Sequence, residues 1–325
     1  MLLPIPDFFD PDRVGAVWRV PYQERATQAQ AWAHQHQIPP ACNDSQRLGL
    51  LLIDVQNTFC LPEFELYVAG AEADNQRLCR FIYQHLAHLS EIIVTLDTHT
   101  AAQIFHPLFW VSPAGEHPPP LTTITLEDVR AGRWQPNPKL PHHSATLPAY
   151  VEHYVAQLAA KGKFPLTIWP YHSMVGGIGH ALVAAIEEAC FFHAVARQQP
   201  TRIELKGSHP LTEHYSVLRP EVMVDAHGGA IAPANTALID HLLEFDRLFI
   251  AGQAKSHCVA WTVADLLCEI QQRDPQLANN VYLLEDGTSP VRVPGVVDFT
   301  EAANAAFEQF AAAGMHRVTT QQPND

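Results

Sequence analysis

The chain has 325 residues, 47% of them hydrophobic, enough for one large core or two ordinary ones. Its 20 Lys+Arg against 34 Asp+Glu give a formal charge of −14, which argues against nucleic acid and anionic membrane as partners. No run of about 18 apolar residues exists to make a transmembrane helix. The six cysteines, at 42, 60, 79, 190, 258 and 268, form no C-x-x-C pair, which points to reduced thiols and a cytoplasmic protein.

Residues 1 to about 46 are rich in Pro, Gln and His without a sustained period. Their start lacks both a basic residue and a long apolar stretch, so no signal peptide is expected. A short helix is predicted over Gln28–Gln37, stopped by Pro39 and Pro40. We read this segment as an extension lying on the domain or on a partner subunit. Leu48–Asp54 then reads as a strand buried on both faces and ending in a carboxylate. Asn75–Leu89 carries Leu78, Phe81, Ile82, Leu86 and Leu89 at helical spacing, and Glu91–Asp97 is a second buried strand. From about residue 110 to 165 the rhythm breaks. That stretch holds nine prolines, with one clear helix near Ala149–Ala160, and reads as an insertion. After it come the apolar run Leu166–Trp169, a helix over about Gly179–Arg197 and the strand Arg202–Lys206. A helix at about Asn235–Glu244 precedes a short strand, Leu248–Ala251, closed by Gly252. Val259, Val263, Leu266, Leu267 and Ile270 then mark a helix. A strand over Val281–Asp286, a helix over Asp298–Ala313 and a strand over His316–Thr320 complete the chain. Strands alternating with helices of this length imply a parallel sheet covered on both faces. The expected fold is therefore α/β, one domain from residue 47 onward with an arm and an insertion.

In open parallel sheets, sites form beyond the carboxyl ends of the strands. The polar residues there are Asp54, Asp97, Lys206, Cys258 and Asp286. Cys258 falls where a strand gives way to the first turn of a helix. Unpaired N–H groups and the helix dipole at such a turn favour a thiolate. The plainer alternative is a small buried apolar residue. Asp54 would be a base beside the thiol, and Lys206 a cation able to hold both. Asp97-Thr98-His99 places two ligand side chains on one side of an extended segment, and His106 and His172 follow. A carboxylate with imidazoles suits Zn²⁺, Fe²⁺ or Mn²⁺. The chain has 19 histidines, and spacing alone does not rank His106 above His117, His142, His143 or His153. Gly176-Gly177-Ile178-Gly179 reads as a turn and helix start, since no strand leads into it and no Gly-Lys-Ser follows.

These residues together resemble the isochorismatase-like cysteine hydrolases and, within them, the nicotinamidases. Asp54-Val55-Gln56-Asn57-Thr58-Phe59 is similar to that family's Asp-x-Gln-x-Asp-Phe segment. Asp97-Thr98-His99 with His106-Pro107-Leu108-Phe109 is similar to its metal segment, and Trp169-Pro170-Tyr171-His172-Ser173 to its Trp-Pro-x-His-Cys. Lys206-Gly207 with Tyr215-Ser216, and Gly252-Gln253-Ala254-Lys255-Ser256-His257-Cys258-Val259, resemble its lysine and nucleophile segments. Thr58, Thr98 and Ser173 depart from the family's usual residues, and the spacing from His99 to His106 differs.

The resemblance implies a three-layer α/β/α fold with about six mostly parallel strands. It also implies a catalytic Asp54, Lys206 and Cys258, an oxyanion hole at the N–H groups of Ala254 and Cys258, and a cis peptide entering Ala254. Phe59 and Trp169 would flank the substrate, and Asp97, His99, His106 and His172 would hold one divalent metal ion, with no organic cofactor. The expected function is hydrolysis of a small amide, nicotinamide among the candidates, in a homo-oligomer. The alternatives are hydrolysis by a metal-activated water, another isochorismatase-like reaction on a small metabolite, and a non-catalytic small-molecule binder.

Overall fold

The apolar runs that read as strands gather into one sheet because each is buried on both faces. The computed structural model describes residues 2–141, 144–293, 295 and 297–323. Its six-stranded sheet is parallel: β1 (Leu48–Ile53), β2 (Leu89–Asp97), β3 (Arg202–Lys206), β4 (Arg247–Gly252), β5 (Val281–Leu284) and β6 (His316–Val318). The order is β6-β5-β4-β1-β2-β3. The chain therefore runs outward from β1 in one direction and then returns to its other side at β4. That reversal leaves a crevice between the carboxyl ends of β1 and β4, the usual place for a ligand in such sheets.

Alternation along the strands divides the interior. Leu50 and Leu52 of β1 face one apolar cluster, and Leu51 and Ile53 face the other. The first cluster is covered by α2 (Ala71–His85) and α4 (Ala184–Arg197), the second by α5 (Thr236–Leu242), α6 (Ala260–Arg273) and α7 (Thr300–Ala312). This is the three-layer α/β/α arrangement.

The N-terminal segment contributes to the first cluster through Leu3, Val14, Ala29 and Ile38. Its helix α1 (Tyr22–Gln35) begins earlier than Gln28 and packs on α4, with Arg25 Nε 2.8 Å from Glu188 Oε1. Phe8 meets Tyr83 and Phe192 at ring separations of 5.8 and 5.3 Å. The arm thus lies on its own chain's helical layer.

The inserted region has a third apolar cluster, built on Trp110, Ile124, Tyr150, Tyr154 and Ile168. Besides α3 (Leu147–Ala160) it contains a short helix, Leu126–Arg130, started by a capping box at Thr125 and Asp128. The run Leu166–Trp169 does not join the main sheet. Leu166 and Thr167 instead pair with Thr123 and Ile124, tying the end of the insertion to its own first half. Asp286 also differs from expectation: its carboxylate accepts from Thr320 N and Oγ1, both at 2.7 Å, and so secures the turn after β6.

Phe192 is fully buried between the arm and α2. Its replacement by Ala is expected to lower unfolding free energy by ~3–5 kcal/mol, read as a shift of the urea midpoint.

Candidate active site

Strand register brings the first group of polar residues together. Asp97 and Lys206 are paired neighbours at the ends of β2 and β3. Gly252 ends β4 opposite Ile53, with a backbone φ of 113°, and a Cβ there would lie 2.0 Å from the Ile53 carbonyl oxygen. Only glycine permits that approach, and it carries the loop after β4 to the side of Asp54. The Gln253–Ala254 peptide is cis.

Cys258 lies in a π-helical turn, Lys255–Val259, in which Val259 N donates to the Ala254 carbonyl at 3.2 Å before α6 begins. An ordinary first helical turn was expected there. The wider turn inserts an extra residue, a feature frequent at functional sites.

Lys206 Nζ is 2.8 Å from Asp97 Oδ1, 2.9 Å from Asp54 Oδ2 and 3.6 Å from Cys258 Sγ, and it donates to the His214 carbonyl at 2.9 Å. Burial opposes its charge, but Asp54 and Asp97 outweigh burial and hold it well above the usual lysine range. Burial also pushes the Cys258 thiol well above its ordinary value, with Lys206 opposing and Asp54 and Asp97 adding to the rise. That direction favours the thiol over the thiolate expected from the turn's dipole. Burial raises Asp54 as well, with Lys206 opposing.

Thr95 holds Asp54 in place. Asp54 N donates to Thr95 Oγ1 at 3.0 Å, and that hydroxyl donates back to Asp54 Oδ1 at 2.5 Å. Gln56 does the same for Asp97, accepting from its N–H at 2.8 Å and donating to its carbonyl at 2.9 Å.

Asp97, His99 and His172 form the second group, with one ligand atom of each inside a 4.8 Å span. His99 Nε2 is 2.7 Å and His172 Nε2 3.5 Å from Asp97 Oδ2. His106 stands beside them, its ring centre 5.7 Å from that of His99 and 5.6 Å from that of His172. The chemistry of this set fits a divalent cation. In each imidazole Nδ1 donates to a backbone carbonyl: His99 to Gly207, His106 to Thr100 and His172 to Pro170, at 3.0, 2.9 and 2.8 Å. That leaves Nε2 as the ligand atom. Nε2 of His106 is buried without a hydrogen-bond partner. Gly207, at φ 79°, leaves the space open, since a Cβ there would lie 2.5 Å from His99 Cε1. Of the other histidines weighed, His117 bonds the Trp110 carbonyl and His153 that of Val224, while His142 and His143 lie outside the described residues.

A cavity of about 280 Å³ opens onto Cys258, Lys206, Asp97, His172 and Ala254. Phe59 and Trp169 line it, and Trp169 Nε1 donates to Tyr215 Oη at 3.1 Å. Sequence reasoning missed two residues here. Thr95 was legible in principle, two positions before Asp97 on the same strand face. Glu213 was not: it comes from irregular chain after β3, lines the cavity, and has its carboxyl pushed up to about 7 by burial.

No protein-family model and no curated protein matches the chain. Solved structures do. A nicotinamidase/pyrazinamidase from Acinetobacter baumanii aligns at 18% identity and a TM-score of 0.52, over 86% of this chain and 99% of that one. The yeast nicotinamidase bound to the inhibitor nicotinaldehyde aligns at 20% identity and 0.53, over 84% and 99%.

Thr95→Val would leave Asp54 N and Oδ1 without their partner and is expected to cost ~1–3 kcal/mol of stability. Thr95→Ser, which keeps the hydroxyl, should lose markedly less in the same denaturation experiment. The likeness to these two solved structures establishes that the chain has the fold of the nicotinamidases.

Proposed function

We propose that the protein is a cysteine hydrolase that cleaves the C–N bond of a small neutral amide through a thioester on Cys258. The observation that carries this reading is Cys258 and Lys206 opening onto one cavity, with the Lys206 ammonium paired to the buried Asp54. The shared fold supports it.

Asp54 takes the thiol proton as Sγ attacks the carbonyl carbon. Negative charge then moves from the carboxylate to sulfur, and Lys206 Nζ lies within 3.6 Å of both, so its ion pair is kept throughout. The N–H groups of Ala254 and Cys258 receive the carbonyl oxygen as it gains charge. Asp54 returns the proton to the departing ammonia, then deprotonates the water that cleaves the thioester, releasing the acid and regenerating the thiol. Phe59 and Trp169 pack on the substrate and exclude water. Asp97, His99, His106 and His172 would hold a divalent cation, which supplies a Lewis acid to bind and orient the substrate.

Charge favours a neutral substrate. Among the described residues lining the cavity, Lys206 is the one lysine or arginine, and Asp54 and Asp97 already neutralise it, while Glu65 and Glu213 add acid. A carboxylate-bearing substrate finds no free lysine or arginine among them, which leaves the cation that Asp97 and the histidines would hold as the positive group it could meet.

Ammonia release from a panel of small amides, nicotinamide first, tests the reaction. Cys258→Ala is expected to lower kcat at least ~10³-fold while leaving the urea midpoint near wild type; retained turnover would assign the nucleophile elsewhere. For the metal, zinc-dialysed protein is expected to keep about one ion per chain by mass spectrometry. His172→Ala and His106→Ala should each weaken retention by at least ~10-fold.

A further inference from the structure

The cavity is larger than a single-ring amide needs. It measures about 280 Å³, whereas roughly 150 Å³ is enough to bind benzene in a protein interior. The reacting groups are at the buried end, Lys206 being 4% exposed. The remaining space is bordered by residues nearer the surface, and these are mostly apolar. Leu66 comes from the segment after β1, Pro120 and Leu121 from the insertion, and Val291 and Val293 from the chain after β5.

Leu121 is the most informative of them. It is 40% exposed, belongs to none of the three apolar clusters, and has a left-handed backbone φ of 68°. That conformation is disfavoured for a residue with a Cβ, and core packing does not account for it here. Two bonds tie this turn to the segment just after the insertion, Leu121 N to Ile168 O at 2.6 Å and Ile168 N to Thr122 O at 2.8 Å. The insertion thus fixes an apolar side chain at the mouth of the cavity. Val293 is likewise outside all three clusters and is set by its pairing with Val297.

Building on the amidase reading, we propose that the site takes neutral primary amides carrying an apolar chain or second ring, which extends from Cys258 to a mouth formed by Leu121 and Val293. Such an extension covers apolar surface that a small amide would leave wet. With the one lining lysine, Lys206, paired at the inner end and the uncharged Leu121 and Val293 at the mouth, the extension bears no negative charge.

The test is kcat/KM for ammonia release by the full-length enzyme on straight-chain amides from propanamide to hexanamide, with nicotinamide alongside. We expect a rise of roughly fourfold per added methylene. Leu121→Asn, which tolerates positive φ but removes the apolar contact, should reduce the hexanamide-to-propanamide ratio, and Val293→Thr should do so independently. A flat or falling series with ammonia still released overturns this proposal and leaves the amidase reading standing. No ammonia from any amide overturns the amidase reading. The mouth is then read by protection of Cys258 from iodoacetamide: hexanamide protecting no better than propanamide overturns the proposal too.

Discussion

The Lys206 ammonium, 4% exposed and set between two carboxylates, is the constraint on which the rest of the site depends. A charge so far from water persists only when paired and hydrogen-bonded, and removing either carboxylate would leave an uncompensated ion inside the protein. Because Asp54 follows β1, Asp97 ends β2 and Lys206 ends β3, the same contacts fasten the carboxyl ends of three adjacent strands. They also join the two halves of the site. Lys206 meets both Asp54 and the Cys258 sulfur, and Asp97 meets Lys206, His99 and His172, so the thiol and the histidine cluster share one electrostatic unit.

Around this unit the backbone leaves little freedom. Glycine at 252 lets β4 close on β1, and glycine at 207 keeps a side chain out of the histidine cluster. Thr95 and Gln56 each hold a carboxylate-bearing residue by paired hydrogen bonds. Preorganisation of this kind matters more than any single contact, because groups already in place need no reordering when charge develops.

The two additions to the sheet differ in what they do. The N-terminal arm covers the outer side of α2 and α4 and takes no part in the cavity, so its role on this chain is burial of apolar surface. The insertion carries its own apolar cluster and reaches the cavity through Pro120 and Leu121, with Trp169 and Pro170 just after it. A rigid satellite core is what allows it to hold a surface leucine in an unfavourable conformation.

Much of this was legible in the sequence because buried parallel strands are uninterrupted apolar runs, and because functional groups gather where such runs end. Asp54, Asp97, Lys206 and Cys258 all end strands or open the following turn, and spacing alone could place them near one another. Leu166–Trp169 was misleading for the same reason: it is a short apolar run, but its partner strand lies in the insertion, which local pattern does not reveal. Periodicity could not anticipate the π-helical turn at Cys258, the burial that raises its thiol's pKa or the position of Glu213, nor which histidines would stand beside Asp97. Each depends on groups brought close from distant parts of the chain, and burial and charge act through space. The sequence by itself determined the strands, their order of appearance and the residues at their ends. Only the tertiary structure decided which of those residues touch and what water they lose, and therefore which protons they hold.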